Sequence, residues 1–241
     1  MSSDGAGELP AEQLSERVAV AGLLIPLALM LLLSAVTGPG RDGSSRPIAL
    51  SDVVLLQGLG IELLLMATIG WWLWRRGWRP LRTATFPLVQ LDVVRGLVLW
   101  ACAILAVGIW ASLCRAVLPN LFEVAKHTEI LGGPHFALSL TYSVVNAVFE
   151  ELLWLGLGFA AFRRFGTAVS ITVSVALRLL AHGYQGPLAL VTVLPVGIVF
   201  TLYYARSRRM WPVVVAHAFQ DALALRLLAT HHSSSGLPNI S

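Results

Sequence analysis

Three short polar motifs interrupt an otherwise apolar C-terminal half: Glu150-Glu151, Arg178-Leu179-Leu180-Ala181-His182 and His217-Ala218-Phe219-Gln220-Asp221. The first lies in the run from Phe136 to Phe162, which holds no other charged residue. A charge at the centre of a bilayer costs about 2.5–3.5 kcal/mol on insertion scales, so an ionisable residue at that depth marks a functional site by default. On a helix, positions i and i+4 share a face, so Arg178 points with His182 and His217 points with Asp221. Glu150 and Glu151 diverge by about 100° and cannot both face one point.

That inventory suits three kinds of chemistry. A glutamate with a histidine beside it can take a proton from water and return it to a leaving amine. A second histidine with a carboxyl neighbour can stabilise an oxyanion. Together these steps hydrolyse a peptide bond inside a membrane. Alternatively, Glu150, His182 and His217 are a ligand set for a metal such as zinc, or the groups relay protons in a small transporter. Neither the HExxH helix of zinc proteases nor the GxSxG elbow of serine hydrolases occurs. Taken singly, each residue has a plainer reading: a histidine bonded to a carbonyl, a glutamate joining helices, an arginine closing a structural pair. As a set on three helices they favour a site.

The elements that must position them are membrane helices. Apolar residues make up 56% of the 241 and charged residues only 12%, whereas soluble domains are nearer 45–50% and 25%. Hydrophobic runs predict an all-α polytopic bundle of about seven (six to eight) spans: Val18–Thr37, Leu50–Trp74, Val93–Leu113, Phe136–Phe162, Thr167–His182, Pro187–Ala205 and Trp211–Thr230. The organisation is a polar N-terminal tail (1–17), N-terminal transmembrane helices (18–114) and a polar or interfacial segment (115–135). A core carrying all three motifs (136–230) and a polar tail (231–241) complete it.

Charge sets the orientation. With the loop holding Arg75, Arg76, Arg79 and Arg82 inside, ten basic residues fall on the cytoplasmic side and five outside, which places the N-terminus in the cytoplasm. The net charge of +4 therefore reflects loop arginines rather than a nucleic-acid partner; the expected partners are membrane lipids and a membrane-associated peptide. Trp71, Trp72, Trp74 and Trp78 beside Arg75 and Arg76 read as an interface anchor. Cys102 and Cys114 share one predicted helix and read as small apolar residues.

These residues resemble the CAAX protease and bacteriocin-processing (CPBP or Abi) family of intramembrane proteases, whose motifs run EExxxR, FxxxH and HxxxN or HxxxD. The resemblance covers about residues 136–230. It implies an intramembrane endopeptidase, in the bacterial branch of the inner membrane, with Glu150 activating water, His182 assisting, and His217 and Asp221 stabilising the oxyanion. The resemblance leaves a metal open; because no compact ligand motif forces one here, a metal-independent glutamate mechanism is expected, with zinc as the alternative. A non-catalytic scaffold or immunity protein on the same fold is the alternative.

Two positions depart from the pattern: Leu155 stands where the family has Arg, and Arg178 where it has Phe. Without an arginine four residues on, Glu151 is a buried charge that needs another partner or must be neutralised. Arg178, one span later, supplies it if the ion pair has moved from within one helix to between two. Leu155→Arg combined with Arg178→Phe is then expected to retain fold and activity, and Arg178→Phe alone to lose both. Equal loss in the single and double variants, read by detergent-solubilised yield and activity, would refute the relocation.

Overall fold

The computed structural model describes residues 16–37, 48–49, 51–77, 88–119, 130–131, 134–183 and 188–234. Among them seven helices form a bundle: α1 Glu16–Thr37, α2 Asp52–Arg75, α3 Gln90–Val117, α4 Phe136–Phe165, α5 Thr167–Ala181, α6 Leu188–Ser207 and α7 Trp211–Ser234. Four of these are long and apolar enough to cross a membrane: α2, α3, α4 and, from Ala189, α6. Helices α1 and α5 contain shorter apolar stretches, Arg17–Leu32 and Thr167–Ala181. The protein is an integral membrane, all-helical bundle.

Several boundaries differ from the hydropathy reading. Helix α3 runs on to Val117 and α7 to Ser234, because amphipathic or polar turns extend a helix without extending its apolar run. Ile48–Ala49 pair in parallel with Ile130–Leu131, a short non-local bridge with no sequence periodicity to announce it. Most of the N-terminal tail, the Gly38-Pro39-Gly40 turn, Trp78, Arg79, Arg82, Gly186-Pro187 and residues 235–241 lie outside the described residues.

Helix α4 is the axis of the bundle. In its most apolar window 67% is buried, against 17% in α2 and in α3. Two apolar clusters share it. Leu155 and Phe159 pack with Leu99 and Ala103 of α3, Phe200 of α6 and Val213 of α7. On its other side, Phe149, Leu153 and Trp154 pack with Leu23 and Leu27 of α1 and Ile69 and Leu73 of α2. Leu56, Leu64, Val98, Leu105 and Ile109 point outwards, as a lipid-facing surface should.

Lipid supplies no hydrophobic drive for helices to associate, so close approach rests on small residues and buried polar bonds. Both are present. Asp92, wholly buried at the start of α3, receives Nε and Nη2 of Arg209 at 2.8 and 2.6 Å and accepts from the Val89 amide at 3.2 Å. That fork fixes the α6–α7 turn, where Arg208 takes the left-handed conformation at φ 55°, against α3. Gly96, one turn further on, lets α7 come within contact: a Cβ there would lie 2.6 Å from Val215 Cγ1 and 2.9 Å from the Pro212 carbonyl oxygen. At the C-terminal end of α2, Arg75 and Arg76 lie over the rings of Trp71 and Trp72 at 5.1 and 5.7 Å.

Gly96→Ala is therefore expected to destabilise the fold by about 1–3 kcal/mol through overpacking, since one of the obstructing atoms is backbone. Gly108→Ala, where a Cβ meets nothing within 4 Å, is the control. Thermal unfolding in detergent distinguishes them; equal melting temperatures would remove the α3–α7 seam from the account.

Candidate active site

The three motifs meet around the middle of α4. Its helical geometry changes immediately after the two glutamates: Phe136–Glu151 is α-helical, Leu152–Leu157 is π-helical, and the α-helix resumes at Gly158. The Gly158 amide reaches back to the Leu153 carbonyl, five residues earlier. Single π turns are rare and concentrate at functional sites because they redirect side chains by one position. Here the widened turn also exposes the Trp154 carbonyl sideways, where Ser174 Oγ of α5 donates to it at 2.7 Å.

Glu151 is completely buried. Arg178 Nη2 donates to its Oε2 at 2.6 Å, and His217 Nδ1 stands 2.6 Å from its Oε1. A carboxylate with a charged or hydrogen-bonding partner on each oxygen can be held without water, whereas an unpaired one cannot. The surroundings are built for Arg178. Its stem lies against Gly197 of α6, where a Cβ would come within 3.2 Å of Cδ, and its guanidinium carbon lies 5.9 Å from the Phe200 ring centroid. The same ring lies 6.2 Å from the His217 imidazole.

Glu150 faces a different partner. Trp154 Nε1, one turn on, donates to its Oε2 at 3.2 Å, leaving Oε1 directed at His182 Nε2, 3.8 Å away. His182 caps α5, and its Nδ1 lies 2.8 Å from the Arg178 carbonyl oxygen. With Nδ1–H donating there, the Nε2 lone pair is the one presented to Glu150. A separation of 3.8 Å is too long for a direct hydrogen bond and suits a bridging water.

The other ring nitrogen of His217, Nε2, faces Asp221 Oδ2 at 3.5 Å. Asn146 Nδ2, one turn before Glu150 on α4, donates to that same Asp221 oxygen at 2.9 Å. The histidines thus need not converge on a single atom, although simple vertical helices separate them by more than about 10 Å in depth at 1.5 Å per residue. Each meets its own member of the glutamate pair.

Every residue singled out from the sequence, Glu150, Glu151, Arg178, His182, His217 and Asp221, lies in this one network. Trp154 and Asn146 also belong to it and were not among them. Their signal was spacing: Asn146, Glu150 and Trp154 recur every four residues on one face. Among the described residues no three His, Cys, Asp or Glu are grouped so as to hold a metal ion. His217 Nδ1 faces Glu151 and its Nε2 faces Asp221, while His182 faces Glu150.

Comparison with known proteins bears on the same stretch. Residues 132–223 match the family model described as type II CAAX prenyl endopeptidase Rce1-like, in agreement with the resemblance read from the motifs. Neither the curated proteins nor the solved structures compared with the chain give a significant match.

Removing Arg178 leaves Glu151 buried with one partner, and breaking a buried pair in this way costs about 3–5 kcal/mol. Arg178→Met is therefore expected to lower thermal stability sharply, and Glu151→Gln with Arg178→Met to recover most of the loss. A double-variant cycle in detergent measures the coupling; additive effects would mean that the pair contributes no stability of its own.

Proposed function

We propose that this chain is an intramembrane endopeptidase of the type its residues 132–223 match, cleaving a membrane-associated peptide with water activated by Glu150. The observation that carries the reading is the approach of His182 Nε2 to 3.8 Å from Glu150 Oε1 within the matched stretch. A water held there donates to both groups. Glu150 takes a proton as the water oxygen attacks the scissile carbonyl carbon. It then returns that proton to the amine nitrogen as the C–N bond breaks, so the carboxylate is regenerated. Trp154 keeps Glu150 Oε2 occupied and the reacting oxygen free.

The oxyanion needs N–H donors. His217 Nε2, only loosely engaged by Asp221 at 3.5 Å, offers one when the ring is protonated. Glu151, on the opposite ring nitrogen at 2.6 Å, supports that protonated form and fixes the ring. Asp221 as a carboxylate has no hydrogen to give. Asn146 does, and its amide nitrogen sits 2.9 Å from Asp221 Oδ2. The second donor is therefore assigned to Asn146, positioned by Asp221.

The step is written without a metal, since the carboxylate and imidazoles account for every proton moved. The arginine distribution supports a cytoplasmic N-terminus, and a bacterial inner membrane is the proposed location.

The test compares new peptide termini in membranes from cells making wild type, Glu150→Gln or Asn146→Leu at equal membrane levels. Termini present with wild type are expected to vanish with Glu150→Gln and to fall about 100- to 1,000-fold with Asn146→Leu, the usual cost of one oxyanion donor. Identical termini in all three would replace the peptidase by a scaffold on the same fold.

A further inference from the structure

One buried acid has no part in the chemistry above. Glu62 lies in α2, well before the matched stretch, and is 7% exposed. Tyr142 of α4 hydrogen-bonds its carboxyl group, while Oε2 has no hydrogen-bond partner. Buried against Tyr142, which lies one turn before Asn146 and two before Glu150 on α4, it faces the bundle rather than lipid. The local sequence makes room for this arrangement. Gly58, one turn earlier on the same face of α2, is where a Cβ would come within 3.0 Å of Tyr142 Cε2 and 3.5 Å of its hydroxyl oxygen. Tyr142, Asn146 and Glu150 then follow at four-residue intervals on one face of α4.

Glu62, Glu150, Glu151 and Asp221 share this face with Arg178, His182 and His217, and Arg178 Nη2 is committed to Glu151. A buried, half-satisfied carboxyl in such a setting is completed by a donor arriving from outside. A divalent cation is the poorer candidate, since no three acid or imidazole groups are grouped to hold one among the described residues. An ammonium or guanidinium group needs no such cage.

We propose that Glu62 is a specificity-determining residue: its free oxygen receives the cationic side chain of a lysine or arginine near the scissile bond of the substrate peptide. The inference rests on the peptidase reading and adds the substrate's charge to it. Tyr142 orients the carboxyl group, and the N-terminal helices, beyond supporting the core, choose what it cleaves.

The experiment uses the full chain in proteoliposomes with a mixed-sequence peptide library in which Lys, norleucine or Glu is placed at each position in turn. Cleavage sites are read by mass spectrometry for wild type, Glu62→Gln, Glu62→Lys and Glu150→Gln. Wild type is expected to prefer Lys over norleucine at one fixed distance from the cut. Glu62→Gln should reduce that ratio at least tenfold, and Glu62→Lys should shift the preference at the same position to Glu. The inversion is a gain that a merely misfolded variant cannot produce. Wild-type preference ratios in both Glu62 variants would overturn the proposal while leaving the peptidase intact. A chelator-sensitive activity whose metal requirement changes in Glu62→Gln would overturn it in favour of a cation site. Absence of any Glu150-dependent cleavage by wild type would instead overturn the peptidase reading and this inference with it.

Discussion

The fully buried carboxylate of Glu151 is the constraint to which the rest of the structure answers. It sits near the middle of the most buried of the four long apolar helices, where neither water nor lipid headgroups can solvate it. The Coulomb and hydrogen-bonding partners that make this tolerable come from two other helices, Arg178 from α5 and His217 from α7, each at 2.6 Å. Helices that lack a hydrophobic reason to associate in lipid are thereby tied to one point. The tie also orients the chemistry: the ring that neutralises Glu151 on one nitrogen faces Asp221 with the other, and the backbone of Arg178 fixes His182 through its carbonyl. Structural ion pair and reactive groups share residues, so neither can drift independently.

Adjacent glutamates are useful because a helix turns them apart. One carboxylate is consumed in holding the bundle together; its neighbour, rotated by about 100°, has an indole on one oxygen and His182 3.8 Å from the other. The π turn that follows accentuates this division. It redirects Trp154 and Leu155, giving the first to Glu150 and the second to the apolar cluster with Phe200 and Val213. The carbonyl that the irregular turn releases is taken by Ser174, which keeps the backbone satisfied at a depth where an open carbonyl would be costly.

Much of this was readable in the sequence, and the reason differs from feature to feature. The seven helices follow from long apolar runs, a signal that survives whatever the helices touch. The six ionisable residues stood out because lipid makes each of them conspicuous. The closeness of Arg178 to Glu151 followed from a need, since a buried charge requires a partner and few were available. Trp154 and Asn146 escaped because each contributes a single N–H from a side chain that passes for an anchor or a helix contact. Glu62 was visible as an acid in a span, but its direction was not: when all spans are apolar, hydropathy does not say which helices are neighbours. The π turn left no trace, because a change of backbone register is not a change of composition.

Positions 155 and 178 differ from the motif the chain resembles, with leucine where that motif has arginine and arginine where it has an aromatic. One guanidinium nevertheless meets Glu151, from α5. Position 155 holds a fully buried leucine within an apolar cluster. The place of Arg178 depends in turn on Gly197, which leaves the width its stem occupies. A neutral pair at that depth constrains the sum of the charges and the place where they meet, and leaves the choice of helix open.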